Sequence, residues 1–357
     1  MTSGATTVVS LHERVAQFLD QHGALDAAMR ARRFAPISTL SIVAFHRLAE
    51  DGGADGRFDP DVVDATPAQF RRRVETLARV GTPIGIDQLI GAIDGAALPP
   101  NPVMITFDDG YRSCRDIALP ILLQLGVPAT FFIATGFPAA GQLYWWEQIA
   151  VALQQARGRT AVLSYPHHLR INASDPQARS RLDNVVKNTR GLDLGRFLRE
   201  LRAGLDVAWS AEIEAALAAS LIMTWADVRA LAAAGMDVES HTRSHRVLET
   251  LDDDQLRDEL VGSRRDLELQ LGRPVRAITY PVGREPSLRV RRATAAAGYR
   301  IGLSNASGVN HLWPPAMRRS FPIDPFAIRR LATERGQSDA MFLTQIAIPP
   351  LAFLQTA

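Results

Sequence analysis

Apolar runs short enough for buried strands alternate along this chain with longer stretches whose apolar residues recur at helical spacing. Leu40 to Phe45, Val103 to Phe107, Ala129 to Ala134, Met236 to Glu239, Ala277 to Tyr280 and Tyr299 to Leu303 read as strands, with Arg318 to Phe321 as a further candidate. Helices are predicted over residues 10–33, Thr66 to about Arg79, Arg112 to Leu125, Thr224 to Ala234, Asp252 to Leu271 and Ser287 to Ala297. Local punctuation agrees with these bounds. Thr66 is a side-chain cap followed by Pro67 at the first helical position, where the missing N–H is tolerated, and Gly126 and Gly272 end two helices. Regular alternation of strand and helix at this length means a parallel sheet with helices packed on it.

The middle of the chain breaks the rhythm. Residues 141–223 read as a helical insertion, opened by Leu143 to Glu147 and continued by helices near 175–190, 193–204 and 210–219. The expected organisation is therefore an N-terminal helical segment over 1–37, an α/β unit over 38–325 carrying that insertion, and a C-terminal tail over 326–357.

Composition narrows the class without naming it. With 357 residues, 46% of them hydrophobic, the chain can bury one large core. The net charge of +2 and the lack of a dense basic run with interleaved aromatics argue against nucleic acid as a partner. Cys114 is the single cysteine, which excludes an internal disulfide and a Cys-rich zinc site. Met1 to Ser10 shows no charged segment leading into a long apolar run, so a cytoplasmic location is expected. The apolar stretch Met341 to Phe353 is short and broken by Pro349 and Pro350; it is expected to pack on the domain, with peripheral membrane contact as the other reading.

The chemistry concentrates in two places. Asp108 and Asp109 follow the strand ending at Phe107 and precede Gly110, so two like charges sit where a buried strand emerges into a loop. Such a pair needs a cation or a shared proton, and neighbouring side chains at a strand end can diverge. One carboxylate can hold a metal while the other acts on water. His241 and His245, four residues apart after another predicted strand, can share an ion if the segment turns helically. A carboxylate with two imidazoles leaves a position open for water or substrate, as hydrolytic sites require.

Thr106-Phe107-Asp108-Asp109-Gly110-Tyr111 and His241-Thr242-Arg243-Ser244-His245, with the weaker Tyr280-Pro281-Val282-Gly283, resemble the three motifs of the polysaccharide deacetylase family, also called the NodB-homology or carbohydrate esterase 4 family. The resemblance implies a distorted (β/α)7-type barrel. It makes Asp108 the catalytic base and Asp109, His241 and His245 ligands of a divalent metal. Zinc is the expected ion, with cobalt, nickel or iron compatible with the same donors. Leu40 to Arg47 is similar to the segment that carries the general-acid histidine in exopolysaccharide-type members, whose barrel is circularly permuted, so His46 takes that role. Histidine suits it because its pKa lies near neutrality. Phe45-His46, Phe107-Asp108, Ser240-His241 and Tyr280-Pro281 would then all lie at carboxyl ends of strands, where such barrels gather their chemistry.

The implied reaction is hydrolysis of N-acetyl groups on amino sugars, in an oligosaccharide or polysaccharide, with the backbone N–H of Tyr111 stabilising the oxyanion. Tyr280, Pro281 and Trp146 are the further substrate-binding candidates, Trp146 with Tyr144 and Trp145 as a stacking platform for a pyranose or, alternatively, as anchors of the insertion. Two positions depart from the family pattern. Thr279 stands where many members have an arginine that orients the base, and Val282 where they have a tyrosine; Arg284 is the nearby candidate for the missing charge. His311 is the one histidine near the C-terminal end of the domain, where many members place the acid. Two rival functions remain: hydrolysis of another non-peptide C–N bond such as a cyclic amide, or carbohydrate binding without catalysis.

Overall fold

In the computed structural model, residues 10–50, 56–283, 285–314, 317, 320 and 322–349 are described. Seven parallel strands pair in chain order and close into a barrel: β1 (Ser38–Phe45), β2 (Pro102–Phe107), β3 (Thr130–Ile133), β4 (Asp237–Ser240), β5 (Ala277–Thr279), β6 (Ile301–Ser307) and β7 (Ile328–Ala332). Closure is made by β1, which pairs with β2 through Ser41 to Phe45 against Val103 to Phe107 and with β7 through Val43 and Ala44 against Leu331 and Ala332. The parallel sheet expected from strand and helix alternation is present, closed as the family resemblance implies; the expected strands ending at Phe45, Phe107, Ala134, Glu239 and Tyr280 lie within two residues of their places, whereas β6 runs on to Ser307, past the expected end at Leu303.

Period-two alternation sorts the side chains. Leu40 and Ile42 of β1, Met104 of β2, Phe132 of β3, Ala277 of β5, Ile301 and Leu303 of β6 and Ile328 of β7 form one apolar cluster inside the barrel. Helix Ile86–Ile93 joins that cluster through Ile86, Leu89 and Ile90. The alternate residues, Val43, Phe45, Val103, Ile105, Phe107 and Phe131 among them, face outward into the helical layer. There Phe45, Phe70 and Phe107 form edge and stacked pairs at 5.1–5.5 Å, and Phe107 stacks on Phe131 at 4.9 Å. Each such pair adds about 0.5–1.5 kcal/mol beyond its buried area. The same parity that puts Met104 inside puts Thr106 and Asp108 inside, one and two layers higher.

The helix Pro67–Val80 begins with the expected device: Thr66 Oγ1 accepts from Gln69 N–H and Gln69 answers to Thr66 N–H, with Pro67 at the first turn. Gly126 and Gly272 both close their helices in the left-handed conformation at φ 66° and 65°. The insertion holds helices Trp145–Gln155, Ala178–Asn188, Leu194–Gly204 and Ala211–Leu221, but it is not purely helical. An antiparallel hairpin pairs Thr160–Leu163 with Leu169–Asn172, strands too short for their alternation to stand out from the flanking loops.

The boundary expected at residue 325 is wrong. β7 lies beyond it and completes the barrel, and helix Asp339–Ala347 packs against the N-terminal helices Leu11–Gln21 and Ala24–Arg32 and against Pro67–Val80. β7 escaped notice because its centre, Arg329-Arg330, interrupts the apolar run that marks a buried strand. Met341 to Ile346 are buried in that packing, whereas residues 350–357 lie outside the described ones. Among the described residues no helix is long and apolar enough to cross a membrane. Of the strand candidate Arg318 to Phe321, only Ser320 is described.

Candidate active site

The carboxyl ends of the strands open into a cleft of about 330 Å³ whose floor carries Asp108, Asp109, His241, His245 and Arg330, with His46 at its rim. The backbone past β2 explains why the two carboxylates diverge. Asp108 N–H donates to Phe45 O at 2.9 Å, which keeps Asp108 in register with the barrel, and Asp109 then adopts φ 72°, a left-handed conformation that aspartate tolerates better than most residues. Gly110 follows at φ 107°, where a Cβ would be strained. Asp109 is thereby turned towards the histidines and Asp108 towards the barrel axis.

His241 and His245 converge, but not on a helix as their spacing suggests. The loop holds Thr242 and His245 at φ 63° and 55°, and the buried Glu259 carboxylate accepts both Arg243 N–H and Ser244 N–H at 2.8 Å. A fixed acceptor outside the loop replaces the helical hydrogen bonds that would otherwise satisfy those donors. His241 Nδ1 lies 3.0 Å from Thr279 O, an arrangement that places its proton there and leaves Nε2 with a lone pair. His245 is held from behind: its ring packs on Trp146 at 4.3 Å and its carbonyl accepts from Trp145 Nε1 at 3.2 Å.

Asp109 Oδ1 lies 3.3 Å from both His241 Nε2 and His245 Nε2, is buried, and has no hydrogen-bond partner. A buried, unpartnered carboxylate oxygen facing two imidazole nitrogens is the arrangement of a set of cation ligands. Donor atoms of all three residues lie within 4.8 Å of one another, consistent with a divalent metal site. Burial opposes ionisation of Asp109, yet the two imidazoles hold its carboxyl well below the usual carboxylate range. Burial lowers His245, which keeps that imidazole in the neutral form a metal requires.

Asp108 meets a residue that sequence reasoning missed. Arg330, on β7, donates from both terminal nitrogens to the two Asp108 oxygens at 2.8 and 2.7 Å, and both side chains are 2% exposed. Burial resists the charge on Asp108, but Arg330, with His241 behind it, holds the carboxyl below its ordinary value. Arg330 is itself steered by Asn305 Oδ1 at 2.6 Å and Ser304 O at 3.2 Å. The signal was present in Ile328-Arg329-Arg330-Leu331-Ala332, where the parity of Ile328 puts Arg330 inside the barrel. Arg284, the candidate named for this charge, lies outside the described residues.

His46 has a partner of its own. Its Nδ1 is 3.1 Å from Asp64 Oδ2, and its backbone N–H donates to the same oxygen. Asp64 comes from a short strand, Val63–Ala65, that pairs with Arg47–Leu48 directly after β1. Burial works against the charged imidazole, but the Asp64 carboxylate outweighs it and His46 is pushed up to about 10. His311 is on Asn310–Leu312, which pairs with the opposite end of β1, and its Nδ1 approaches Thr39 Oγ1 at 3.3 Å, far from this chemistry.

The remaining candidates separate. Trp146 and Trp145 line the cleft, but at 5% and 3% exposure they are anchors rather than an open stacking platform. Trp146 stacks on Tyr144 at 4.6 Å and donates to Tyr111 Oη at 2.8 Å, while Tyr144 Oη donates to Asp109 O at 3.0 Å. Tyr111 is buried and donates to Glu147 at 2.9 Å, so its side chain does not reach the cleft. Tyr280 and Pro281 are also buried away from it; Tyr280 packs against Gly302 of β6, and Val282 lines the cleft instead.

The polysaccharide deacetylase family model matches residues 95–192 and 208–302. No curated protein matches the chain. Among solved structures the chain is similar to the Streptococcus pyogenes deacetylase PplD in complex with acetate, with 16% identity and a TM-score of 0.54, covering 88% of this chain and 100% of that one. A polysaccharide deacetylase from Bacillus cereus is similar at 16% identity and TM-score 0.53, covering 87% of this chain and 69% of that one. IcaB from Ammonifex degensii is similar at 15% identity and TM-score 0.51, covering 87% and 96%. At these identities the structures speak for the fold, whereas the family model spans more than half of the chain and both of its main motifs: this protein belongs to the polysaccharide deacetylase family.

Proposed function

We propose that this protein is a metal-dependent N-deacetylase that releases acetate from N-acetylated amino sugars in an oligosaccharide or polysaccharide. The observation that carries the reading is the pairing, in one cleft, of the Asp109, His241, His245 donor set with a separately held carboxylate, Asp108. A divalent ion, for which zinc suits these donors and cobalt, nickel or iron are accepted, supplies Lewis acidity to the acetyl carbonyl and to water. Asp108 is the base. Arg330 keeps it ionised and points its oxygens along the cleft floor, so that it takes a proton from the attacking water. The backbone N–H of Tyr111 is assigned to the developing oxyanion, a contribution of about 2.7–4 kcal/mol for a well-placed donor. His46 is the acid. With Nδ1 committed to Asp64, its Nε2 proton passes to the amine nitrogen as the C–N bond breaks, leaving acetate and a free amino sugar.

Burial of Trp145 and Trp146, which leaves no open aromatic platform at the cleft among the described residues, favours a second reading: hydrolysis of a cyclic amide or another non-peptide C–N bond on the same scaffold. One screen separates the two. Acetate release from a panel of N-acetylated sugars, measured with metal-stripped and metal-restored protein, is expected for the first reading. Ring opening of cyclic amides without acetate release would establish the second.

A further inference from the structure

The two histidines of the donor set are held in different ways. His241 has a carbonyl against its second ring nitrogen, Thr279 O at 3.0 Å from Nδ1, the usual device that fixes the ring of a metal ligand. His245 has no such acceptor: its Nδ1 is buried and has no hydrogen-bond partner among the described residues. Its ring lies instead against Trp146, with centroids 4.3 Å apart and planes tilted by 50°. Packing against one indole, rather than a hydrogen bond, sets the orientation of His245.

Trp146 is fixed in turn. Tyr144 stacks on it at 4.6 Å, parallel within 4°, which sets the plane of the indole but lets it slide within that plane. The bond from Trp146 Nε1 to Tyr111 Oη, 2.8 Å, removes the slide. A hydroxyl that accepts from one side can still pivot unless its own proton is committed, and Tyr111 donates that proton to Glu147 Oε1 at 2.9 Å. Glu147 Oε2 accepts Asp59 N–H at 2.7 Å, and Arg47 Nη1, in the residue after His46, stands 3.9 Å from Oε1. Glu147 is fully buried on the insertion's helix Trp145–Gln155, yet Tyr111, Asp59 and Arg47 all lie outside the insertion, around the cleft. Burying a carboxylate is costly unless its oxygens are satisfied, and both oxygens of Glu147 are satisfied by the surroundings of the site.

We infer that Glu147 is a positioning residue for the metal centre: through Tyr111 Oη and the Trp146 indole it sets the ring of His245, the part that a carboxylate bonded directly to the imidazole plays in other metal sites. The inference rests on Asp109, His241 and His245 sharing one ion and deepens that reading, because it makes the first helix of the insertion a component of the centre.

The test is chelator competition for zinc, together with the visible absorption of the cobalt-loaded protein, in wild type, Tyr111→Phe, Glu147→Gln and the double variant. Tyr111→Phe keeps the packing of the ring and removes only the hydroxyl. Each single variant is expected to bind zinc about tenfold more weakly and to shift the cobalt bands. The double variant should bind no more weakly than the weaker single one, because both substitutions break the same chain of contacts. A residue that merely anchors the insertion would lower the melting temperature and leave the affinity and the bands of the folded protein unchanged. That result in Tyr111→Phe overturns the inference, as does a double variant whose losses add. Should Glu147→Gln fail to fold, Tyr111→Phe decides alone. A wild type that binds neither ion overturns the inference together with the metal site. Acetate release is not read in this experiment, so a zinc-binding wild type that frees no acetate sinks the proposed deacetylation alone, and variants with wild-type affinity in an active deacetylase sink the positioning role alone.

Discussion

Arg330 and Asp108 meet across β1: one side chain rises from β7 and the other from the end of β2, the two neighbours of β1 in the closed barrel, and they are joined by two hydrogen bonds of 2.8 and 2.7 Å. A family pattern that places the orienting arginine after β5 is satisfied here from the last strand, because inward positions on different strands converge on one axis. Thr279, at the family's arginine position, serves His241 instead: its carbonyl receives the Nδ1 proton and its hydroxyl lies 2.5 Å from the same nitrogen.

Arg330→Ala leaves a buried carboxylate without its cation, and removal of one partner from such a pair costs about 3–5 kcal/mol. The depressed Asp108 value contributes stability that is present above the ordinary aspartate pKa of about 3.9 and lost as pH falls through the folded value. The variant's deficit should therefore be largest at neutral pH and shrink in acid. The acid limb of kcat/KM should move to higher pH, because Asp108 without Arg330 holds its proton more firmly. Denaturant melts and pH–rate profiles read both; an unmoved acid limb would separate Arg330 from the base.

Asp108→Asn should reduce acetate release by at least about 10²-fold while bound metal, measured by elemental analysis, stays at the wild-type level. Turnover close to wild type would remove Asp108 from its role as base.

Asp64→Asn tests the acid. The raised value of His46, about 10 against an ordinary 6.5, means that the ion pair stabilises the fold fully below about 6.5 and is lost as pH rises through about 10. The variant should be less stable than wild type at neutral pH and approach it in alkali. The alkaline limb of kcat should fall towards the ordinary histidine range, and His46→Ala should abolish that limb. A limb that stays in place in both variants assigns the acid to another group.

Trp146→Ala distinguishes an anchor from a stacking platform. Its ring supports His245 at 4.3 Å, so its loss should weaken metal affinity about 10–100-fold, as removal of supporting groups behind metal ligands does. A rise in KM with unchanged metal affinity would instead mark direct contact with the sugar.

Most of the barrel was legible because short apolar runs and helix caps are local signals. The strand ends carrying His46, Asp108 and His241 were legible for the same reason. What escaped notice was non-local. β7 hid behind Arg329-Arg330: Arg330 makes sense only once Asp108 is known to lie opposite, and Arg329 faces outward to Glu285. Asp64 stands alone between Val63 and Ala65, and nothing in those residues announces His46 as its partner. The convergence of His241 and His245 was anticipated through a helix, whereas a left-handed loop tied down by Glu259 achieves it. Tyr111 and Tyr280 occupy motif positions but turn their side chains into the packing behind the cleft.

The central claim is that Asp109, His241 and His245 share one ion. Anomalous scattering from crystals of zinc-loaded protein tests it most directly: a single strong peak bonded to Asp109 Oδ1 and to both Nε2 atoms is expected, and it should vanish in Asp109→Ala. A peak elsewhere, or none at full zinc occupancy in solution, would contradict the account.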